Sequence, residues 1–245
     1  MTDLASVPRP TIDLQVDGPT EAEWRSYLRA LPTFEWPAAS RLVVVSPHPD
    51  DETLGAGGLI ATALDRGLPV TVVAVTDGES SHPGRDMGAQ RRTELTDAMR
   101  ALAPDGGVDV RRLGLPDGHI GDRLADLVDA LVDLVEPGDL VACPLHDDGH
   151  PDHEAVAVGA TEAARRRGSW LRTFGVWAWH RHVPASSALP RGQLLPLSPV
   201  VRRRKQLALA FYRSQLDGDQ PVLPPGMLLR LDREFEVLVR PEGAR

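Results

Sequence analysis

Residues Val43–Gly58 read VVVSPHPDDETLGAGG, and their reading decides the fold. The valines, with Arg41 and Leu42 before them, form an apolar run suited to a buried strand. A proline-punctuated polar turn follows. Thr53–Gly67, TLGAGGLIATALDRG, then reads as a helix closed by a glycine. Working downstream, PVTVVAVT is a second buried strand, and DMGAQRRTELTDAMRALA an amphipathic helix with Leu95, Met99 and Leu102 at helical spacing. A short strand is expected near DVRRLGL, then a helix over IGDRLADLVDALVDLVEPGD and a strand at LVACP. DHEAVAVGATEAARRRG continues as a helix, TFGVWAWH as a period-two strand, Pro199–Ser214 as a helix and EFEVLVR as a last strand. Upstream, TEAEWRSYLRAL has helical spacing with Thr20 as its cap, preceded by a proline-rich polar tail.

Strands alternating with helices imply parallel crossovers. The expected fold is therefore α/β: a three-layer, Rossmann-like open sheet, mostly parallel, with helices on both faces. Residues 1–245 form one unit in this reading, with an irregular N-terminal segment over about 1–36. Ligands of such sheets bind beyond the carboxyl ends of the strands. The two densest polar clusters, HPDDE after Val43–Ser46 and HDDGHPDH after Leu140–Pro144, both fall there.

Composition narrows the class of function. With 42% hydrophobic residues over 245 positions the chain can bury a sizeable core, and a formal net charge of −8 disfavours nucleic-acid or anionic-membrane partners. The run Arg202–Lys205 is read as the solvated face of a helix. Cys143, the single cysteine, is read as a buried inert thiol. No basic start leads into an apolar core and no apolar run is long enough to span a bilayer, so a cytoplasmic protein without membrane insertion is expected. The expected partner is a small molecule; a homo-oligomer is left open.

His48 and Asp51, three apart across Pro49, can converge if the turn enters a helix. Imidazole and carboxylate are ordinary zinc ligands, and a third imidazole from His153 or His150 would complete a set with one open position. A divalent cation would also offset the repulsion among Asp50, Asp51 and Glu52. Asp50, pointing elsewhere than Asp51, can face a water and take its proton. In the second cluster His146, His150 and His153 stand among Asp147, Asp148 and Asp152. One imidazole can ligate, and another beside Asp152 can stay protonated to stabilise an oxyanion or protonate a leaving amine. Two alternatives are a solvated acidic turn capping a helix, and a closed zinc site of His48, Asp51, His150 and His153 that leaves Asp50 without work. Gly55, Gly57 and Gly58 suggest either a phosphate-cradling turn or close packing of helix on sheet.

SPHPDDETLGAGG, VTDGE, QRRTEL, LGLPDG, GHPDHEAV and KQLALAFYRSQ, in this order and spacing, resemble the PIG-L or LmbE-like zinc-dependent N-deacetylases over roughly Arg41–Leu216. The resemblance implies Zn²⁺ or another divalent metal held by His48, Asp51 and His153. It implies Asp50 as general base, His150 as acid or oxyanion-stabilising imidazole, and Asp152 as its modulator. Arg91 matches an arginine that contacts the sugar in relatives, the alternative being a surface helix arginine, and Asp77 and Asp117, at further strand ends, are read either as substrate contacts or as loop hydrogen-bond partners. Some members carry a tyrosine where this chain has Asp148, which leaves oxyanion stabilisation to His150 or another residue. Trp177, Trp179 and His180 are either core or a stacking surface for a sugar. The implied reaction is removal of an N-acetyl or other N-acyl group from an N-acetylglucosamine-type metabolite. The alternatives are a non-catalytic nucleotide- or metabolite-binding module and a deacylase of a larger antibiotic conjugate.

Overall fold

A computed structural model describes residues 18–218 and 221–245. The proline-rich tail expected before Thr20 lies almost wholly outside the described residues. Strands β1 (Arg41–Ser46), β2 (Val70–Ala74), β3 (Val108–Arg112), β4 (Asp139–Pro144) and β5 (Trp170–Phe174) form one parallel sheet in the order β3-β2-β1-β4-β5. Val43 sits opposite Thr71 on one side and Val141 on the other. The chain first builds outward from β1 through β2 to β3, then returns to place β4 on the other flank of β1. The topological switch point is therefore the β1/β4 boundary, where a crevice opens above the strand ends.

Period-two alternation divides the core. Leu42 and Val44 face α2 (Asp51–Asp65), α3 (Gly88–Leu102) and α7 (Pro199–Leu209), together with Leu95, Met99 and Leu102. Val43, Val45 and Cys143 face α4 (Leu124–Leu134) and α5 (Pro151–Arg167) through Leu127, Leu131, Val156 and Ala160. These are the two helical layers expected for a sheet of continuous apolar strands. Each fully buried Val or Leu contributes about 1.5–3 kcal/mol to holding the layers together. Burial also pushes the Cys143 thiol upward, in keeping with an inert side chain.

A short antiparallel pair, β6 (Gln193–Pro196) with β7 (Phe235–Leu238), stands apart from the main sheet. It packs on α2, and here the glycines find their explanation. A Cβ on Gly55 would lie 2.1 Å from the Phe174 ring, and one on Gly58 would lie 2.4 Å from Leu197. Close packing, not a phosphate cradle, accounts for them. Glu236 also reaches into the helix, accepting from the Gly58 and Leu59 amides at 2.6 and 2.8 Å, while Lys205 Nζ donates to Leu54 O and to Glu236. The expected solvated face of Arg202–Lys205 is therefore corrected. Lys205 is 2% exposed, Arg204 pairs with Asp65 and Arg202 with Asp232, and only Arg203 is exposed.

The remaining helices are α1 (Glu21–Leu28), capped by Thr20 and Glu23, and the short α6 (Ala178–Arg181), α8 (Arg213–Leu216) and α9 (Pro225–Leu231). The strand expected over Thr173–His180 is half wrong. β5 ends at Phe174, and the chain turns into α6 because the Asp148 carboxylate accepts the amides of Val176, Trp177 and Ala178 at 2.8, 3.0 and 3.1 Å. Among the described residues no helix is long and apolar enough to cross a membrane.

Candidate active site

The turn after β1 enters α2 through Asp50, whose φ of 143° and ψ of −32° make it the one non-glycine residue with positive φ among those described. Such a backbone costs on the order of 1–3 kcal/mol and persists only when its surroundings fix it. They do so here. The Asp50 amide donates to Glu52 Oε2 at 3.1 Å, and its carbonyl accepts from Thr53 and Leu54. Arg91 donates to the preceding Pro49 carbonyl at 2.8 Å. Glu52 is fully buried and anchored in turn by Ser46 Oγ, Thr53 Oγ1 and the Tyr212 hydroxyl at 3.0, 2.7 and 2.5 Å. Burial pushes this carboxyl up, and the Tyr212 and Thr53 donors work against that rise.

This backbone sends consecutive carboxylates apart. Asp51 Oδ2 lies 3.1 Å from both His48 Nδ1 and His153 Nε2, and the three residues are all buried. His153 Nε2 makes no hydrogen bond despite that proximity. Its other nitrogen is engaged. Nδ1–H donates to Asp148 at 2.7 Å, so Nε2 is the nitrogen that, on losing its proton, turns a lone pair toward a cation beside Asp51. A buried imidazole nitrogen, a second imidazole and a carboxylate directed at one point, within 4.8 Å of one another, fit a divalent cation, and their donor chemistry suits zinc.

On His48 the far nitrogen faces Asp152 Oδ2 at 3.1 Å and Asp117 Oδ1 at 3.2 Å, so Nε2 carries the proton and Nδ1 is the ligating atom. Asp152 is itself fixed by the Gly118 and Ile120 amides. With no cation bound, burial lowers the two histidines but their carboxylates outweigh it. His48 is raised well above its usual range and His153 to about 9. His48 in turn holds Asp117 down at about 2 against its burial.

Asp50 points to the other side, where Arg91 Nη2 donates to Oδ2 at 3.0 Å. Burial pushes Asp50 up and Arg91 opposes the rise, leaving it at about 8. Arg91 is 3% exposed and lies where a Cβ on Gly78 would stand, at 2.3 Å, so the guanidinium needs that glycine, whose φ is +64°. His150 caps α5, its Nδ1 accepting the Asp152 amide, so the ring's proton sits on Nε2. Burial, then the charges of His153 and His48, lowers His150 to about 3. The Asp152 carboxylate, expected beside a protonated His150, meets His48 instead, while His150 accepts the Asp152 amide at Nδ1.

These groups open on a cleft of about 340 Å³, lined by His48, Asp50, Asp51, Arg91, Asp117 and His150 and walled by Trp177, Val222 and Leu223. Asp77, expected to contact substrate, lies outside it and pairs with Arg92 at 2.6 Å. Trp177 stacks near His150 at 6.5 Å, whereas Trp179 is core, edge-on to Trp24. His146 is remote from the cleft and meets Thr161. Asp148, Glu52 and Tyr212 carry structural weight that the sequence reading did not assign. The only signal for Asp148 was its position two residues before His150, the first histidine of the second motif.

The profile of the PIG-L family, described as GlcNAc-PI de-N-acetylase, matches residues 43–164. A probable N-acetyl-alpha-D-glucosaminyl L-malate deacetylase 2 of Bacillus cereus is 34% identical over 140 residues, which cover 51% of this chain and 61% of that relative. The matched stretch thus spans less than two thirds of it. A 1D-myo-inositol 2-acetamido-2-deoxy-alpha-D-glucopyranoside deacetylase of Nocardia farcinica is 34% identical over 207 residues, 65% of this chain and 69% of the relative. The crystal structure of the conserved protein TT1542 from Thermus thermophilus superposes with a TM-score of 0.62 at 28% identity, covering 83% of this chain and 96% of that one.

Proposed function

This chain belongs to the PIG-L family of de-N-acetylases, and from that premise we propose that it is a zinc-dependent cytoplasmic hydrolase. Its reaction is removal of an N-acetyl or related N-acyl group from an N-acetylglucosamine-type small molecule. The observation that carries the proposal is the buried, unbonded Nε2 of His153 beside Asp51 and His48, with Asp50 and His150 flanking the same cleft.

His48 Nδ1, Asp51 and His153 Nε2 would hold the cation. Zinc there supplies an acidified water and a polarised amide carbonyl. Asp50 accepts the proton of the attacking water, a role worth about 10²–10⁴ in rate. Arg91 keeps the carboxylate aimed and biased toward its charged form. As the tetrahedral centre forms, the neutral His150 donates from Nε2–H to the oxygen that gains charge. Asp50 then returns its proton to the amine nitrogen as the C–N bond breaks, releasing the carboxylic acid and the free amine. Asp152 and Asp117 hold the far nitrogen of His48, and Asp117 also faces the cleft where a sugar hydroxyl would rest.

The test is acetate release by the zinc-loaded protein from a panel of N-acetylglucosamine conjugates, with Asp50→Asn as control. Release that vanishes in the control while zinc is retained supports the reading. Tight zinc with no release from any conjugate overturns the N-acetylglucosamine assignment, and absence of both zinc and release favours a binding module.

A further inference from the structure

A second cavity, of about 720 Å³, lies at the opposite end of β5 from the catalytic cleft, lined by Glu35, Trp36, Trp170, Arg172, Arg191 and Arg240 among others. Trp170 opens the strand and Arg172 is its third residue, whereas Phe174 closes it near the cleft, roughly 13 Å along the strand from Trp170. In a chain of net charge −8, three arginines face one hollow and a single acidic residue, Glu35, lines it. None of the three arginines forms an ion pair with a side chain among the described residues.

Arg172 is the most constrained of them. It is 6% exposed, its Nη1 donates to the Leu171 carbonyl and to a main-chain oxygen of Arg245, the last residue of the sequence, and its Nε has no partner. Burial, then the positive charge of Arg240, lowers it from the usual guanidinium range. The surroundings add more positive charge. Arg66 lies 4.8 Å over the Trp36 ring and Arg245 lies 4.2 Å over the Trp170 ring. Gathering like charges around a buried guanidinium costs free energy that a bound anion would relieve, and the planar fork of arginine matches phosphate oxygens.

We propose that this cavity binds a phosphate monoester, its phosphate on Arg172, Arg191 and Arg240 and its flat or apolar body against Trp36 and Trp170. The site is separate from the deacetylase reading and does not depend on it.

The experiment uses the full chain, with zinc bound, at constant ionic strength set by chloride. Calorimetric titration and thermal melts are run with inorganic phosphate, a nucleoside 5′-monophosphate and the uncharged nucleoside, on wild type, on Arg191→Ser/Arg240→Ser and on His150→Ala. Supporting results are saturable binding of the monophosphate, at least tenfold weaker in the arginine double variant and unchanged in His150→Ala, with none for the nucleoside. Inorganic phosphate binding as tightly as the monophosphate supports the anion contacts and removes the body from recognition. The proposal is overturned if phosphate compounds raise the melting midpoint no more than chloride does. It is equally overturned if binding survives the arginine changes and disappears in His150→Ala, since the anion would then sit in the catalytic cleft.

Discussion

Asp148→Asn changes one atom of a fully buried side chain, and the structure gives its consequence in detail. Oδ1 accepts the Val176 and Ala178 amides, while Oδ2 accepts the Trp177 amide and the Nδ1–H of His153. An asparagine has only one acceptor oxygen. If that oxygen keeps Val176 and Ala178, the new NH₂ group faces two donors. His153 can accommodate it only by accepting at Nδ1, which moves the ring proton to Nε2, the atom directed at Asp51. The variant therefore trades a ligating lone pair for an N–H, and loss of such a supporting partner costs about 10- to 100-fold in metal affinity. The Trp177 amide is left without an acceptor, which adds about 1–3 kcal/mol of destabilisation. Zinc affinity measured by competition with a chromophoric chelator, alongside urea unfolding of the metal-free protein, reads both effects. Zinc affinity within threefold of wild type in a folded Asp148→Asn protein would refute the tautomer argument. Asp148→Ala, which leaves His153 free to rotate, should lower affinity at least as far.

Removing the Tyr212 hydroxyl with Tyr212→Phe takes a donor from the buried Glu52 that fixes the strained Asp50. A loss of about 1–3 kcal/mol in urea unfolding is expected together with reduced kcat and unchanged zinc content, and unchanged kcat would separate the Glu52 network from Asp50 positioning. Gly55→Ala sets a Cβ 2.1 Å from the buried Phe174 ring, so a stability loss of about 1–3 kcal/mol or more is expected, and an unshifted melting midpoint would contradict the packing described. In chelator-treated protein His153 titrates at about 9, above its unfolded range near 6.5, so its contribution to stability is fully present below about pH 6.5 and lost as pH rises through 9. Zinc must displace the same proton. Apparent zinc affinity should therefore rise about tenfold per pH unit per displaced proton between pH 7 and 9, and a flat dependence would mean that the ligand histidines are unprotonated without metal.

The sheet, its helical layers and both histidine clusters were legible in the sequence because each rests on a local pattern. A buried parallel strand declares itself as an apolar run, and metal chemistry restricts its ligands to a few residue types at strand ends. What sequence reasoning missed is non-local. Trp177 and Trp179 alternate like a strand, yet Asp148, 28 to 30 residues earlier, captures the amides that end it. Asp77 stands at a strand end like Asp117, but Arg92 on the next helix claims it. Lys205 looks like part of a basic solvated run until Glu236 and Leu54 O are placed beside it. Tyr212 meets Glu52 across 160 residues of sequence, and Glu236 meets Gly58 across 178. Periodicity cannot report such partners, since nothing in the local spacing depends on them. The same distance explains why the acidic knot HPDDE is tolerated. Asp51 has its histidines, Asp50 has Arg91 and Glu52 has Tyr212, Thr53 and Ser46, so three adjacent carboxyls are divided among three separate sets of partners. A cation is thus needed to explain Asp51 and its two imidazoles, while the strained turn that makes Asp50 available is built from the protein alone.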